Sequence, residues 1–204
     1  MRRASGLSIW WGLVPHLALV IGLYLFHSAW WALTLEGAIL GSGLAVASIR
    51  GWRPSVGSLA GRHIAPFLIH LLAGPALFLV WQNQNTDALR ALLASIQVSR
   101  HTMWLAILLH CTAVPLLEEL FWRGALLSKG RGVAKSDILF AAYHILILAL
   151  FVPMPLWPFS LAILIGAAWV WRREVQRSNG VLPAIIFHAA ADLSLLSTVS
   201  ILVY

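Results

Sequence analysis

Residues 183–203 read PAIIFHAAADLSLLSTVSILV, a run in which His188 and Asp192 are the only ionisable side chains. Because about 20 apolar residues in a helix cross the hydrocarbon of a bilayer, this run predicts a membrane span. Similar runs fill the chain: 60% of its 204 residues are hydrophobic and only 10% are charged. The mean hydropathy is +0.85. The sequence therefore predicts an all-α, polytopic transmembrane bundle without a sizeable water-soluble domain.

Hydropathy divides the chain into seven predicted spans, with residues 82–101 as the one long external loop. The spans cover residues 8–26, 29–48, 64–81, 102–122, 138–152, 157–171 and 183–203. The first span follows Arg2 and Arg3 and resembles a signal peptide. It is longer than an ordinary signal sequence and lacks a clear cleavage site, so we predict a retained span. Within the external loop, residues 88–96 are predicted to be amphipathic.

The positive charges predict a cytoplasmic N-terminus and an external C-terminus. With this orientation, Arg90 and Arg100 are the only two of the 14 lysines and arginines that lie outside. Lysine and arginine are concentrated in the cytoplasmic loops of membrane proteins. The same clusters explain the net charge of +7 without nucleic acid as a partner. Cys111 is the single cysteine, so an internal disulfide framework and a thiolate metal cage are excluded.

Ionisable side chains at membrane depth cost on the order of 3 kcal/mol each, and they usually face a cavity, pair with one another or carry function. Three predicted spans place such residues at one depth, near the cytoplasmic side. They are Glu118, Glu119 and Arg123 on the fourth span, His144 on the fifth, and His188 and Asp192 on the seventh. Polar groups that converge inside an apolar bundle predict an active site.

Helical spacing separates the roles of the two adjacent glutamates. Glu119 and Arg123 are four residues apart and share a helix face, whereas Glu118 is rotated by about 100 degrees. We therefore predict that Glu119 pairs with Arg123 and that Glu118 faces the cavity. Pro115 removes a backbone hydrogen bond just before the glutamates, which predicts a kink and room for water.

Three motifs in this region resemble those of a known family. The sequence has E-E-x-x-x-R at residues 118–123, F-x-x-x-H at residues 140–144 and H-x-x-x-D at residues 188–192. They are similar to the motifs of the CAAX protease and bacteriocin-processing family of intramembrane proteases (CPBP, or Abi), which includes the eukaryotic prenyl-protein endopeptidase. The resemblance covers residues 115–192. We predict one membrane domain, 1–204, with the catalytic spans in residues 102–204 and no recognised motif in residues 1–101.

The resemblance implies a CAAX-type glutamic endopeptidase that cleaves a membrane-associated protein or peptide near the cytoplasmic side, without a cofactor. By motif position, Glu118 is the general base and His144 holds or activates the water. His188 and the residue at 192 form the oxyanion site. The expected location is the cell membrane, as a multi-pass protein of a prokaryotic plasma or inner membrane.

The remaining motif positions support the reacting groups. Glu119 and Arg123 are implied to orient the first motif. Many family members have Asn where this chain has Asp192. Because an ionised carboxylate cannot donate a hydrogen bond to an oxyanion, we predict that Asp192 orients His188.

Other functions remain open at this point. A zinc-dependent protease could use Glu118, His144, His188 and Asp192 as ligands, since Zn²⁺ accepts nitrogen and oxygen donors. The H-E-x-x-H, G-x-G-D and G-x-S-x-G motifs of other intramembrane proteases are absent. A non-catalytic scaffold or immunity protein is a second alternative. A proton-coupled transporter is a third, suggested by Glu36 midway along the second span.

Overall fold

The computed structural model describes residues 7–81, 86–126 and 128–204, and within these ranges it contains helices and no β-strand. Arg2 and Arg3 lie outside the described residues, and so do residues 82–85 of the predicted external loop. The predicted polytopic helical bundle is confirmed.

Ten α-helices follow one another along the described chain. They are α1 (Val14–Leu19), α2 (Ala29–Ile49), α3 (Ile64–His70), α4 (Ala73–Trp81), α5 (Thr86–Ser95), α6 (Arg100–Cys111), α7 (Ala113–Glu119), α8 (Lys135–Leu148), α9 (Trp157–Ser178) and α10 (Leu182–Val203). A 3-10 turn and a π turn extend α1 to the apolar helix Ile9–Leu25. A second π turn, Leu120–Ala125, directly follows α7.

Five helical segments of the described chain are long and apolar enough to cross a membrane. They are Ala29–Ile49, Gly61–Leu79, Arg100–Ala125, Met154–Ser178 and Leu182–Val203. Ile9–Leu25 is shorter, and α8 has 14 residues, so these two of the seven predicted spans are short for a full crossing. The loop helix α5 forms where residues 88–96 are predicted to be amphipathic.

The helix ends collect at two opposite ends of the bundle. At the first, which we call the basic end, the backbone N–H of Leu7 donates to the carbonyl of Ala125 over 3.3 Å, and that of Val181 donates to Ser55 over 3.0 Å. At the opposite end, Ser28 donates to Gln97 over 2.7 Å. The helices of the described chain run back and forth between these two ends.

A buried ion pair closes the basic end. Arg172 of α9 and Asp137 of α8 are both nearly inaccessible, and an Arg172 Nη2 to Asp137 Oδ2 distance of 2.9 Å joins them. Arg172 also donates to the carbonyls of Gly130 and Gly132. The sixth predicted span, residues 157–171, lies within α9, and Arg172 directly follows it. Its partners are inside the protein, and α9 continues to Ser178.

Candidate active site

A break between α6 and α7 sets the direction of the segment that carries the two glutamates. Thr112 leaves the helical conformation, with φ −132° and ψ −81°. Pro115 explains the break, because its ring lacks an N–H and collides with the carbonyl four residues earlier, that of Cys111. The predicted kink is confirmed. Residues 113–119 then run as a separate helix, with Glu118 and Glu119 buried in its last turn.

Glu119 holds the side chains of two predicted site residues at once. Its Oε1 accepts a hydrogen bond from Arg123 Nη1 over 3.0 Å and lies 2.9 Å from His188 Nδ1. The pair predicted between Glu119 and Arg123 is confirmed. The contact with His188 is one that helical spacing alone did not reveal, because it joins the fourth and seventh predicted spans. All three side chains are buried, so the charges are paired where water cannot screen them.

The Arg123 guanidinium also lies over an aromatic ring. Its Cζ is 3.7 Å from the centroid of Phe140, which is within the range of a cation–π interaction. The π turn Leu120–Ala125 carries Arg123, and such turns occur often at functional sites. The first and second motifs are therefore in direct contact through their Arg and Phe members.

Glu118, His144 and His188 form the centre of the site. One ligand atom from each lies within 4.8 Å of the others, so residues from three helices meet as the sequence predicts. Glu118 is 2% exposed. Its Oε2 is buried without a hydrogen-bond partner among the described residues and lies 3.8 Å from His144 Nε2. A separation of this size lets one water molecule bond to both atoms.

Backbone contacts fix which nitrogen of His144 faces the centre. His144 Nδ1 lies 3.0 Å from the carbonyl of Phe140, one helical turn earlier. A carbonyl only accepts, so Nδ1 carries the proton, and Nε2 is free to accept a hydrogen bond or bind a metal. The neutral ring thus points its lone pair at the space beside Glu118.

Asp192 lies on the other side of His188 from Glu119. Its Oδ2 is 3.5 Å from His188 Nε2, longer than the contact between Glu119 and Nδ1. Orientation of His188 is therefore shared: Glu119 makes the close contact, and Asp192 faces the second nitrogen.

The side chains of His144 and Asp192 are each 18% exposed, whereas that of His188 is 3% exposed. The centre therefore opens on the side of His144 and Asp192. Aromatic rings cover His188 on other sides: the rings of Trp171 and Phe140 pack against it at centroid distances of 4.9 and 5.9 Å. Walls of this kind limit the entry of water.

Two further polar residues reach the centre and are not among the predicted site residues. Tyr143 donates its hydroxyl to Glu118 Oε1 over 3.4 Å. Glu36 of α2 lies close enough to interact with both Glu118 and Tyr143. The sequence does not indicate a role for Tyr143, because this residue precedes His144 and occupies no fixed position of the motif. An intramembrane carboxyl group was the available signal for Glu36, but nothing in the sequence indicates its neighbours.

The donor set also fits a metal ion. Glu118, His144 and His188 offer one oxygen and two nitrogens, a combination that Zn²⁺ accepts in catalytic sites with a fourth position left for water. The Glu119 contact at His188 Nδ1 resembles the carboxylate that commonly orients a metal-bound histidine. Asp192, the fourth ligand in the zinc alternative, does not belong to this three-residue group.

The fold and this centre define a polytopic membrane protein with a buried site of carboxylates and histidines. Residues 99–194 match the model of a family described as type II CAAX prenyl endopeptidase Rce1-like. No curated protein and no solved structure matches the chain. The matched residues contain all three motifs, so this segment belongs to the Rce1-like family, and the predicted relationship to CAAX-type intramembrane proteases is confirmed.

Proposed function

We propose that the protein is an intramembrane endopeptidase in which Glu118 activates a water molecule for attack on a peptide bond. The observation that carries the proposal is the unpartnered Glu118 Oε2, buried 3.8 Å from His144 Nε2. Membership of the matched segment in the Rce1-like family supports the same reaction class.

The reaction begins with water held between Glu118 and His144. Glu118 takes one proton from the water as the oxygen adds to the peptide carbonyl, which becomes a tetrahedral oxyanion. His188, protonated on both ring nitrogens between Glu119 and Asp192, stabilises this oxyanion through Nε2–H. Glu118 then gives its proton to the leaving amine as the carbon–nitrogen bond breaks. No proton is gained or lost by the enzyme over the cycle.

The buried groups around the centre prepare it for this reaction. Glu119 accepts from Arg123 and contacts His188, so the ring of His188 is fixed before the substrate arrives. Fixed donors need no reorganisation when charge develops, and the loss of one oxyanion donor typically costs about 10²- to 10³-fold in rate.

The test compares protein termini in the membranes and medium of cells that carry the wild type or Glu118→Gln at equal abundance. The amide keeps the size of the side chain and removes the base, and general-base catalysis alone is worth about 10²- to 10⁴-fold. We expect a set of new termini in the wild type that the variant lacks, which would also identify the substrate. Asp87→Asn makes the same chemical change at an exposed position and is expected to cleave normally.

Identical termini in the wild type and Glu118→Gln would contradict proteolysis. If Glu118→Gln also restored a phenotype caused by loss of the gene, a non-catalytic scaffold or immunity role would replace it.

The second candidate is zinc-dependent proteolysis at the same centre. The three-residue group of Glu118, His144 and His188 is the observation that favours it. Metal analysis of the purified protein separates the two candidates. One zinc per chain, with cleavage lost on chelation and restored by Zn²⁺, would establish the metal mechanism, whereas full activity in metal-free protein supports the glutamate mechanism.

We further propose that the site opens toward the cytoplasmic half of a cell membrane and that its substrate is a membrane-associated protein or peptide. The basic end supports this orientation, because Arg90 and Arg100 are the only lysine or arginine residues of the described chain that belong to the opposite end. The motifs lie toward the basic end, since Arg123 is next but one to Ala125 and His188 follows Val181 by about two helical turns.

A further inference from the structure

Glu36 is a buried carboxyl group that belongs to a different part of the chain from the three motifs. It lies midway along α2, outside the matched residues 99–194, and is 4% exposed. Helix α2 packs against α7 and the following π turn. This packing brings a side chain from the N-terminal half of the protein to the back of the site.

Glu36 lies beside the hydrogen bond that joins Tyr143 to Glu118. The Tyr143 hydroxyl donates to Glu118 Oε1 over 3.4 Å, and Glu36 interacts with both of these residues. One Glu36 oxygen, Oε1, is buried without a hydrogen-bond partner among the described residues. Burial of a polar atom without a partner costs free energy, so a carboxyl group here calls for a role beyond packing.

We propose that Glu36 is a positioning residue for Glu118, an inference that rests on the proposed function. With Tyr143, it holds Glu118 Oε1 at the back of the centre, so that Oε2 stays directed toward His144 at 3.8 Å. A carboxylate that can rotate away would lose the water between these atoms. Contact between two carboxyl groups requires a hydrogen between them, which a carboxamide at position 36 also supplies from its NH₂ group.

The experiment measures kcat and KM of purified protein in lipid for Glu36→Gln and Glu36→Leu, on the substrate that the terminus comparison identifies. Gln can donate to Glu118 from its NH₂ group, so we expect kcat within about threefold of wild type. Leu has a similar size but no hydrogen bond, and we expect kcat to fall by about 10- to 100-fold, as is typical when a group that supports a reacting residue is removed. KM and the unfolding temperature should change little.

Three further variants make the outcomes distinguishable. Ser42→Ala lies on an exposed part of α2 and should behave as wild type. Tyr143→Phe removes the hydroxyl that shares Glu118 Oε1, and its loss in kcat should not add to that of Glu36→Leu, because the two residues act on one group. If Glu36→Leu fails to accumulate, Tyr143→Phe decides in its place: the proposal requires a lower kcat at unchanged KM. Glu118→Gln is the inactive reference.

Each contrary result has its own meaning. Unchanged kcat in Glu36→Leu would overturn the positioning role, and so would additive losses with Tyr143→Phe. If Glu36→Gln were as inactive as Glu118→Gln, the positioning role would also be overturned, because Glu36 would then act through its charge. A fall in unfolding temperature or a rise in KM without a change in kcat would assign a structural role. Equal activity of wild type and Glu118→Gln would overturn the proposed function and this inference together.

Discussion

Position 192 places a second carboxylate beside His188. The Oδ2 atom of Asp192 is 3.5 Å from His188 Nε2 at the open side of the centre. Glu119 already makes the closer contact with this histidine over 2.9 Å. Asp192 therefore adds to an orientation that Glu119 has largely set.

We expect Asp192→Asn to keep kcat within about threefold of wild type, because a carboxamide can accept from His188 and can also donate to an oxyanion. Asp192→Ala removes both possibilities, and we expect a loss of about 10- to 100-fold in kcat. Rates of the two variants on the identified substrate, at equal abundance in the membrane, check the prediction. Wild-type activity in Asp192→Ala would show that Glu119 alone orients His188.

The same scale shows what the sequence could predict about the site. Helical spacing was enough to pair Glu119 with Arg123, because both belong to one helix. The meeting of Glu118, His144 and His188 was predictable as well, since the hydrophobic spans place them at one depth. The contacts of Glu119 with His188 and of Glu36 with Glu118 were not, because each depends on how two helices are rotated about their axes, and hydropathy carries no record of that rotation.

At the scale of the helices, the pair between Asp137 and Arg172 fixes α8 against α9 and anchors the loop between the π turn and α8. Arg172 donates to both oxygens of Asp137 and to the carbonyls of Gly130 and Gly132. The sequence predicts Arg172 as a cytoplasmic charge directly after the sixth span. Its pairing with Asp137 was not predictable, because the two residues lie on different helices.

We expect Arg172→Met to lower the free energy of unfolding by about 3–5 kcal/mol, because it leaves the Asp137 carboxylate buried without its partner. Replacement of both residues, Arg172→Met with Asp137→Leu, should recover most of this loss, since no charge then remains buried. Denaturant unfolding in detergent micelles measures both. A loss in the double variant equal to or larger than that of Arg172→Met would show that the loop carbonyls, rather than the charge pair, determine the effect.

At the scale of the whole molecule, the two ends of the bundle differ in charge and in the segments that meet there. Segments 50–63, 123–137 and 172–182 meet at the basic end, while Val203 at the opposite end accepts hydrogen bonds from Arg90 of α5. The alternation of seven runs was predictable because it depends only on hydropathy and on loop charges. The short length of α8, 14 residues, was predictable as well, because the apolar run that forms it covers only residues 138–152.

The orientation of the bundle can be tested with single cysteines in a Cys111→Ser background, because Cys111 is the one native thiol. Val133→Cys lies on the exposed loop at the basic end, and Ala94→Cys lies on the exposed face of α5. We expect a membrane-impermeant maleimide to label Ala94→Cys in intact cells and Val133→Cys only after permeabilisation, since the basic end should face the cytoplasm. The reverse pattern would put Glu118 and its opening on the external side, and a cytoplasmic substrate could then no longer reach the site.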